Sequence, residues 1–240
     1  METKLAELVA RLQQAAGENL QSVVLFGSAV AGEFSAEHSN LNILCLLERV
    51  GSAELAQLHL VIEWWTGEEG HPAPLVFTFD ELCRSAHLFA VELFDIKRHH
   101  RFLFGPDWLE DFQPPLHLHR LQVERELHRE KLKLRQAVLT APGKPQAQLD
   151  LMHSSLSRFC NLFRHAIMAA GEPEPHNKRE SIAAIAVWTG ADPSGFDAVL
   201  DYREGKRKRR QIDLELARHS YLEFVSLAAD ETTRRFAHLR

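Results

Sequence analysis

The stretch from Val23 to Leu47 holds residues whose types and spacing could do chemistry. Val23 to Phe26 is a short apolar run, and Gly27-Ser28 follows it directly. A strand ending in Gly-Ser with a helix start behind it is a phosphate cradle. The glycine lets a phosphate approach the backbone, and the serine hydroxyl and nearby N–H groups donate to it. Eleven residues further on, Asn40-Leu41-Asn42 opens a second apolar run that continues to Leu47. Side chains alternate along a strand, so Asn40 and Asn42 would share one face. There both could aim at metal ions held against the cradled phosphates, offering carbonyl oxygens without charge.

These residues need elements to position them. Leu5, Leu8, Val9 and Leu12 mark a helix over residues 3–16. Val23–Phe26 and Leu41–Leu47 read as buried strands, with Ala29–Gly32 a brief helical piece between them. Leu55, Leu58, Val61, Ile62 and Trp65 give a second helix over 52–65. Pro74–Phe79 is expected as a third strand, Phe79–Leu82 as the start of a short helix capped by Asp80, and Val91–Ile96 as a fourth strand. Asp111–Pro115 is a polar, proline-bearing linker, and beyond it every stretch reads as helix: 116–139, 147–170, 178–190, 196–203 and 213–239. The expected fold is α+β, a mixed sheet with flanking helices over residues 1–112 followed by an all-helical domain over 116–240.

Phe26-Gly27-Ser28, the Ala31-Gly32-Glu33 after it and the second strand resemble the DNA polymerase β-type nucleotidyltransferase superfamily. That family's pattern is Gly-Ser, about a dozen residues, then Asp-x-Asp or Asp-x-Glu, with a third carboxylate on a later strand. The plan of an α/β half followed by a helical half is similar to the kanamycin nucleotidyltransferase-like members. Val91–Lys97 and Phe102-Leu103-Phe104-Gly105 look like the later strand and its ending in bacterial members of uncharacterised function. The resemblance implies a nucleotide ligand, ATP or another nucleoside triphosphate, at Gly27 and Ser28. It also implies two Mg²⁺ ions held by carboxylates that clamp transfer of a nucleoside monophosphate to an acceptor hydroxyl.

Here the two metal positions are Asn40 and Asn42. Magnesium is a hard cation that prefers charged oxygen ligands, so two carboxamides describe an eroded metal site. Glu33, Glu37 and Glu48 are nearby acids, and Glu92 and Asp95 stand on the expected later strand, on opposite faces if it is regular. Three readings follow. In the first, the chain keeps the fold and the nucleotide but little or no transfer, as a pseudoenzyme. In the second it is an active Mg²⁺-dependent transferase acting on a small-molecule or protein hydroxyl, with Glu92 or Asp95 catalytic. In the third it is a non-enzymatic interaction module.

The rest of the chain bounds these readings. A net charge of −5 argues against a general nucleic-acid binder. Lys206-Arg207-Lys208-Arg209-Arg210 reads as a solvated loop or, less simply, a phosphate-facing patch. No apolar window is long enough to span a membrane and the first residues do not resemble a signal peptide, so a cytoplasmic protein is expected. Cys45, Cys83 and Cys160 read as reduced core residues. The Trp64-Trp65 pair and the long helix after Leu116 would suit a homodimer interface. Arg158 and His165 are similar to the loose Arg-x(4–6)-His pattern of HEPN ribonucleases, but helix packing or surface exposure explains both.

Overall fold

The computed structural model describes residues 1–27, 29–30, 41–86, 88–109, 116–141 and 145–239. It divides into two compact units, Met1–Pro115 and Leu116–Arg240. In the first, helix α1 (Glu2–Ala16) leads into β1 (Leu20–Phe26), then β2 (Asn42–Leu47), α2 (Ser52–Glu63), β3 (Leu75–Thr78), α3 (Phe79–Ser85), α4 (Ala90–Arg98) and β4 (His100–Phe104). The strands form a mixed sheet in the order β3-β2-β1-β4, with β2 and β3 parallel and β1 antiparallel to both β2 and β4.

Alternation explains both layers. Val23, Leu25, Ile43, Cys45 and Leu47 point to one face and pack with Leu5, Leu8, Leu12, Leu58 and Val61 of α1 and α2. Val24, Leu44 and Leu46 point to the other and pack with Leu82, Leu93 and Ile96 of α3 and α4. Both faces are covered, which is why the two strands read as unbroken apolar runs. After β4, Gly105 turns with φ 81, where a Cβ would stand 2.1 Å from the carbonyl oxygen of Gln21. Trp108 then reaches back, its indole N–H 3.3 Å from Ser22 Oγ.

Several expectations are corrected here. Val91–Ile96 is not a strand. Residues 90–98 form α4, with Val91, Leu93 and Ile96 buried at helical spacing. The strand is the segment that follows, His100–Phe104. Helix α3 is capped by Thr78 rather than Asp80, through a capping box in which Thr78 accepts from the Glu81 N–H and Glu81 accepts from the Thr78 N–H. Trp64 and Trp65, expected to suit a homodimer interface, are buried in the core with Leu58 and Val61, at a π-helical turn over Trp64–Glu68. Arg11 stacks on Trp64, and Trp65 donates to the Pro72 carbonyl at 3.1 Å. Cys45 and Cys160 are core residues, but Cys83 is exposed on α3.

The second unit comprises α5 (Leu116–Thr140), α6 (Pro145–Ala169), α7 (Lys178–Thr189), α8 (Ser194–Arg203) and α9 (Leu214–Ala237). Helix α6 is buried along most of its length because apolar residues occupy more than one stripe. Phe159, Phe163 and Phe196 meet Tyr221 and Phe224 of α9 in an aromatic core, with Phe196 stacked on Tyr221 at 3.9 Å between centroids. On α5, Leu127 and Leu134 face inward, whereas Leu121 and Leu132 are exposed. Asp213 caps α9 through the Glu215 and Leu216 N–H groups. Among the described residues no helix is long and apolar enough to cross a membrane.

Candidate functional site

The site is built at one end of the sheet. Gly27 ends β1 with φ 84, a left-handed conformation in which other side chains are strained. Its N–H donates to the His99 carbonyl at 3.0 Å, and its own carbonyl accepts from the Val30 N–H at 2.9 Å. The chain thus turns within Gly27–Val30, held on one side by the residue between α4 and β4. Ser28 and Asn40, the second cradle residue and the first metal position, lie outside the described residues, as do Glu33 and Glu37.

Asn42 opens β2 and pairs with Phe26, while Phe26 also pairs with His100 of β4. Directly opposed residues on neighbouring strands project to one face, so Asn42, Phe26 and His100 form a row across three strands at the level of the turn. Asn42 leans along that row toward the turn: a Cβ on Gly27 would stand 3.1 Å from its Nδ2. On the other side, β3 runs parallel with Leu44 beside Leu75. β3 begins there, so no β3 residue reaches the level of Asn42. No acidic side chain occupies this row on β1, β3 or β4.

Glu92 and Asp95 are placed by α4, not by a strand. Three residues apart on a helix, they lie on neighbouring rather than opposite sides. Glu92 is exposed in the first turn; Asp95 is half-buried, and its carbonyl accepts from the His99 N–H at 3.0 Å. Asp95 is therefore one turn from the residue that holds Gly27, with Glu92 a further turn away. Glu48 follows the far end of β2, where its N–H donates to Asn19. Six residues of strand, about 20 Å, separate that end from Asn42.

His100 is the neighbour that sequence reasoning missed. Its Nδ1–H donates to the Lys97 carbonyl at 2.9 Å, and its Nε2 lies 3.6 Å from Asp107 Oδ2. Both ring nitrogens are thereby engaged within 97–107. The adjacent pair His99-His100 carries no local signal of this role, and its position beside the turn depends on pairing between strands far apart in sequence. In the run Lys97-Arg98-His99-His100-Arg101 the contact with the turn is the His99 backbone carbonyl, while Arg101 points to the opposite face and pairs with Glu2 at 3.1 Å.

The donors fit a divalent ion poorly. Asn42 presents an amide nitrogen toward the turn, and among the described residues no group of three His, Cys, Asp or Glu side chains could hold a metal. What the arrangement can do is offer the Asn42 carboxamide as a hydrogen-bond donor beside a half-buried turn whose Gly27 and Val30 N–H groups are already bonded within the fold.

The other candidate features are accounted for by packing. His165 is fully buried and bonds His119 across α5 and α6 at 2.9 Å. Arg158 instead sits at the surface, paired with Glu126 at 2.8 Å, so the two do not form a shared site. The basic run is exposed, with Lys206 paired to Glu204 and Arg209–Gln211 in a short 3-10 turn.

No protein-family model matches the chain, and no curated protein matches it. Among solved structures it is similar to spectinomycin adenyltransferase AAD(9) from Enterococcus faecialis, a structure with ATP and spectinomycin. The TM-score is 0.52 at 16% identity, covering 98% of this chain and 99% of that one. The likeness shows the fold: a mixed four-stranded sheet with flanking helices followed by a helical region is the nucleotidyltransferase-type α+β arrangement.

Proposed function

We propose that this chain binds a nucleoside triphosphate at the Gly27-Ser28 turn and has an eroded metal site, Asn40-x-Asn42, with weak or absent nucleotidyl transfer. Residues 1–112 form the nucleotidyltransferase-like domain and residues 116–240 the helical one. The observation that carries the reading is the Asn42 carboxamide set against the positive-φ Gly27 at the end of β1, on a nucleotidyltransferase-type fold. Two Asp-to-Asn replacements remove two negative charges opposite a divalent ion. At about 4 Å and an effective dielectric of about 20, each is worth roughly 8 kcal/mol against the doubly charged ion.

An active Mg²⁺-dependent transferase is the competing reading. It would draw on Asp95, one helical turn from the Gly27 anchor, with Glu92 further off. Calorimetric titration with ATP, together with transfer of labelled nucleotide to acceptor hydroxyls, separates the two. Spectinomycin, present in the neighbour's structure, is the first acceptor to try. The expected result is ATP binding weakened by Ser28→Ala, no transfer by the unaltered chain, and Mg²⁺-dependent binding or transfer in the Asn40→Asp/Asn42→Asp double variant. Ready transfer by the unaltered chain would establish the active reading instead. If ATP and the other nucleoside triphosphates all fail to bind, a non-enzymatic interaction module replaces both.

A further inference from the structure

We infer that the turn takes its phosphate chain as a free anion, not as a magnesium complex, with the Asn42 amide as a direct hydrogen-bond donor. The inference rests on the nucleotide reading above and reverses the sign of the family's usual chemistry. A carboxylate at position 42 would face a phosphate at the Gly27 turn as a like charge, and a cation would have to stand between them. A carboxamide there needs no cation, because its NH₂ group carries two donors and a phosphate oxygen accepts. The 3.1 Å separation between Asn42 Nδ2 and the site of an absent Gly27 Cβ puts those donors at the turn itself.

The surroundings point the same way. In the row that contains Asn42, its partners are Phe26 and then His100. Neither is an acid that would hold a metal or repel a phosphate. Directly behind the turn, the His99 carbonyl accepts the Gly27 N–H at 3.0 Å, which fixes the end of β1 against the junction of α4 and β4. With Asn at both positions 40 and 42 and no acid paired across the row, the place suits an anion without its counterion.

The test is a titration of the full chain with ATP in EDTA and in excess Mg²⁺. Affinity in EDTA is expected to equal or exceed that in Mg²⁺. Asn42→Asp should lose about tenfold or more in EDTA and recover when Mg²⁺ is added, whereas Asn42→Ser, a neutral donor, should keep metal-free binding within about threefold. Circular dichroism confirms that each variant is folded, and the serine variant keeps the comparison informative if the aspartate destabilises β2. Binding by the unaltered chain only in Mg²⁺ overturns this inference while leaving the nucleotide reading intact. An Asn42→Asp variant that binds equally well in EDTA also overturns it. Absence of ATP binding in both buffers is the distinct failure of the underlying reading.

Discussion

Asn42 and Gly27 sit against each other across the β1–β2 pair, with the amide nitrogen of one 3.1 Å from where a Cβ on the other would be. Any side chain at position 27 therefore meets two penalties. One is the backbone, at φ 84, which costs a non-glycine residue about 1–2 kcal/mol. The other is displacement of Asn42 from the turn. Gly27→Ala should lower the unfolding free energy by about that amount and weaken ATP binding more than a surface Gly→Ala change such as Gly67→Ala. Urea unfolding and calorimetric titration read the two effects separately. An alanine variant with unchanged affinity would show that Asn42 does not help to shape the turn.

What was legible in the chain follows from how local each signal is. Val23–Phe26 and Leu41–Leu47 are continuous apolar runs bounded by polar residues, and a strand covered on both faces looks like that whatever its partners. Gly27 was legible because few residue types suit such a turn. Val91–Ile96 was not, since Val91, Leu93 and Ile96 in a short run satisfy a strand about as well as a helix. Residues beyond the run decide it: Ala90 before it, and Lys97 and Arg98 after it, extend α4 to nine residues. The row Asn42–Phe26–His100 depends on register between distant strands, which no local pattern encodes. Trp65 falls on the apolar stripe of Leu58 and Val61, so its burial follows from helical spacing, whereas the π-helical turn over Trp64–Glu68 has no local signal.

Gly105 is the tightest point of the first unit. A Cβ there would lie 2.1 Å from the Gln21 carbonyl oxygen and 3.0 Å from the Ser22 Cα, both backbone atoms of β1 that cannot swing aside. Gly105→Ala should separate the end of β4 from β1 and cost more than about 3 kcal/mol, the sum of backbone strain and overpacking. Gly17 makes the control, because its φ of 56 is also positive but nothing lies within 4 Å of its absent Cβ. Gly17→Ala should show the strain alone. Equal melting temperatures for the two variants would contradict the steric account.

His119 and His165 tie α5 to α6 at the centre of the helical unit. Arg164 Nη2 donates to His165 Nε2 at 3.3 Å, so the His165 proton sits on Nδ1 and is donated to His119 Nε2 at 2.9 Å. Replacing one partner strands a buried polar group, whereas replacing both removes the need for the bond. His119→Leu or His165→Leu should each cost about 1–3 kcal/mol, and the double variant less than the sum of the two. Urea unfolding of the four species gives the coupling. A coupling of zero would mean that the pair is not a working hydrogen bond.

The three thiols should respond to reagent and to pH according to their places. Burial pushes the Cys45 and Cys160 thiols up to about 12, whereas Cys83 stands exposed on α3. A thiol-specific reagent should therefore modify Cys83 alone in the native chain, and Cys83→Ser should abolish that reaction. All three should react in denaturant. The fold holds Cys45 and Cys160 protonated, while the unfolded chain releases those protons near the ordinary value of 9.0. Their contribution to stability is thus complete below that pH and is lost as the pH rises through 9.0 toward about 12. Urea midpoints measured across that alkaline window should fall, and fall less in a Cys45→Ala variant. Fast native labelling of Cys45 or Cys160 would show that the sheet or helical core opens far more readily than its packing implies.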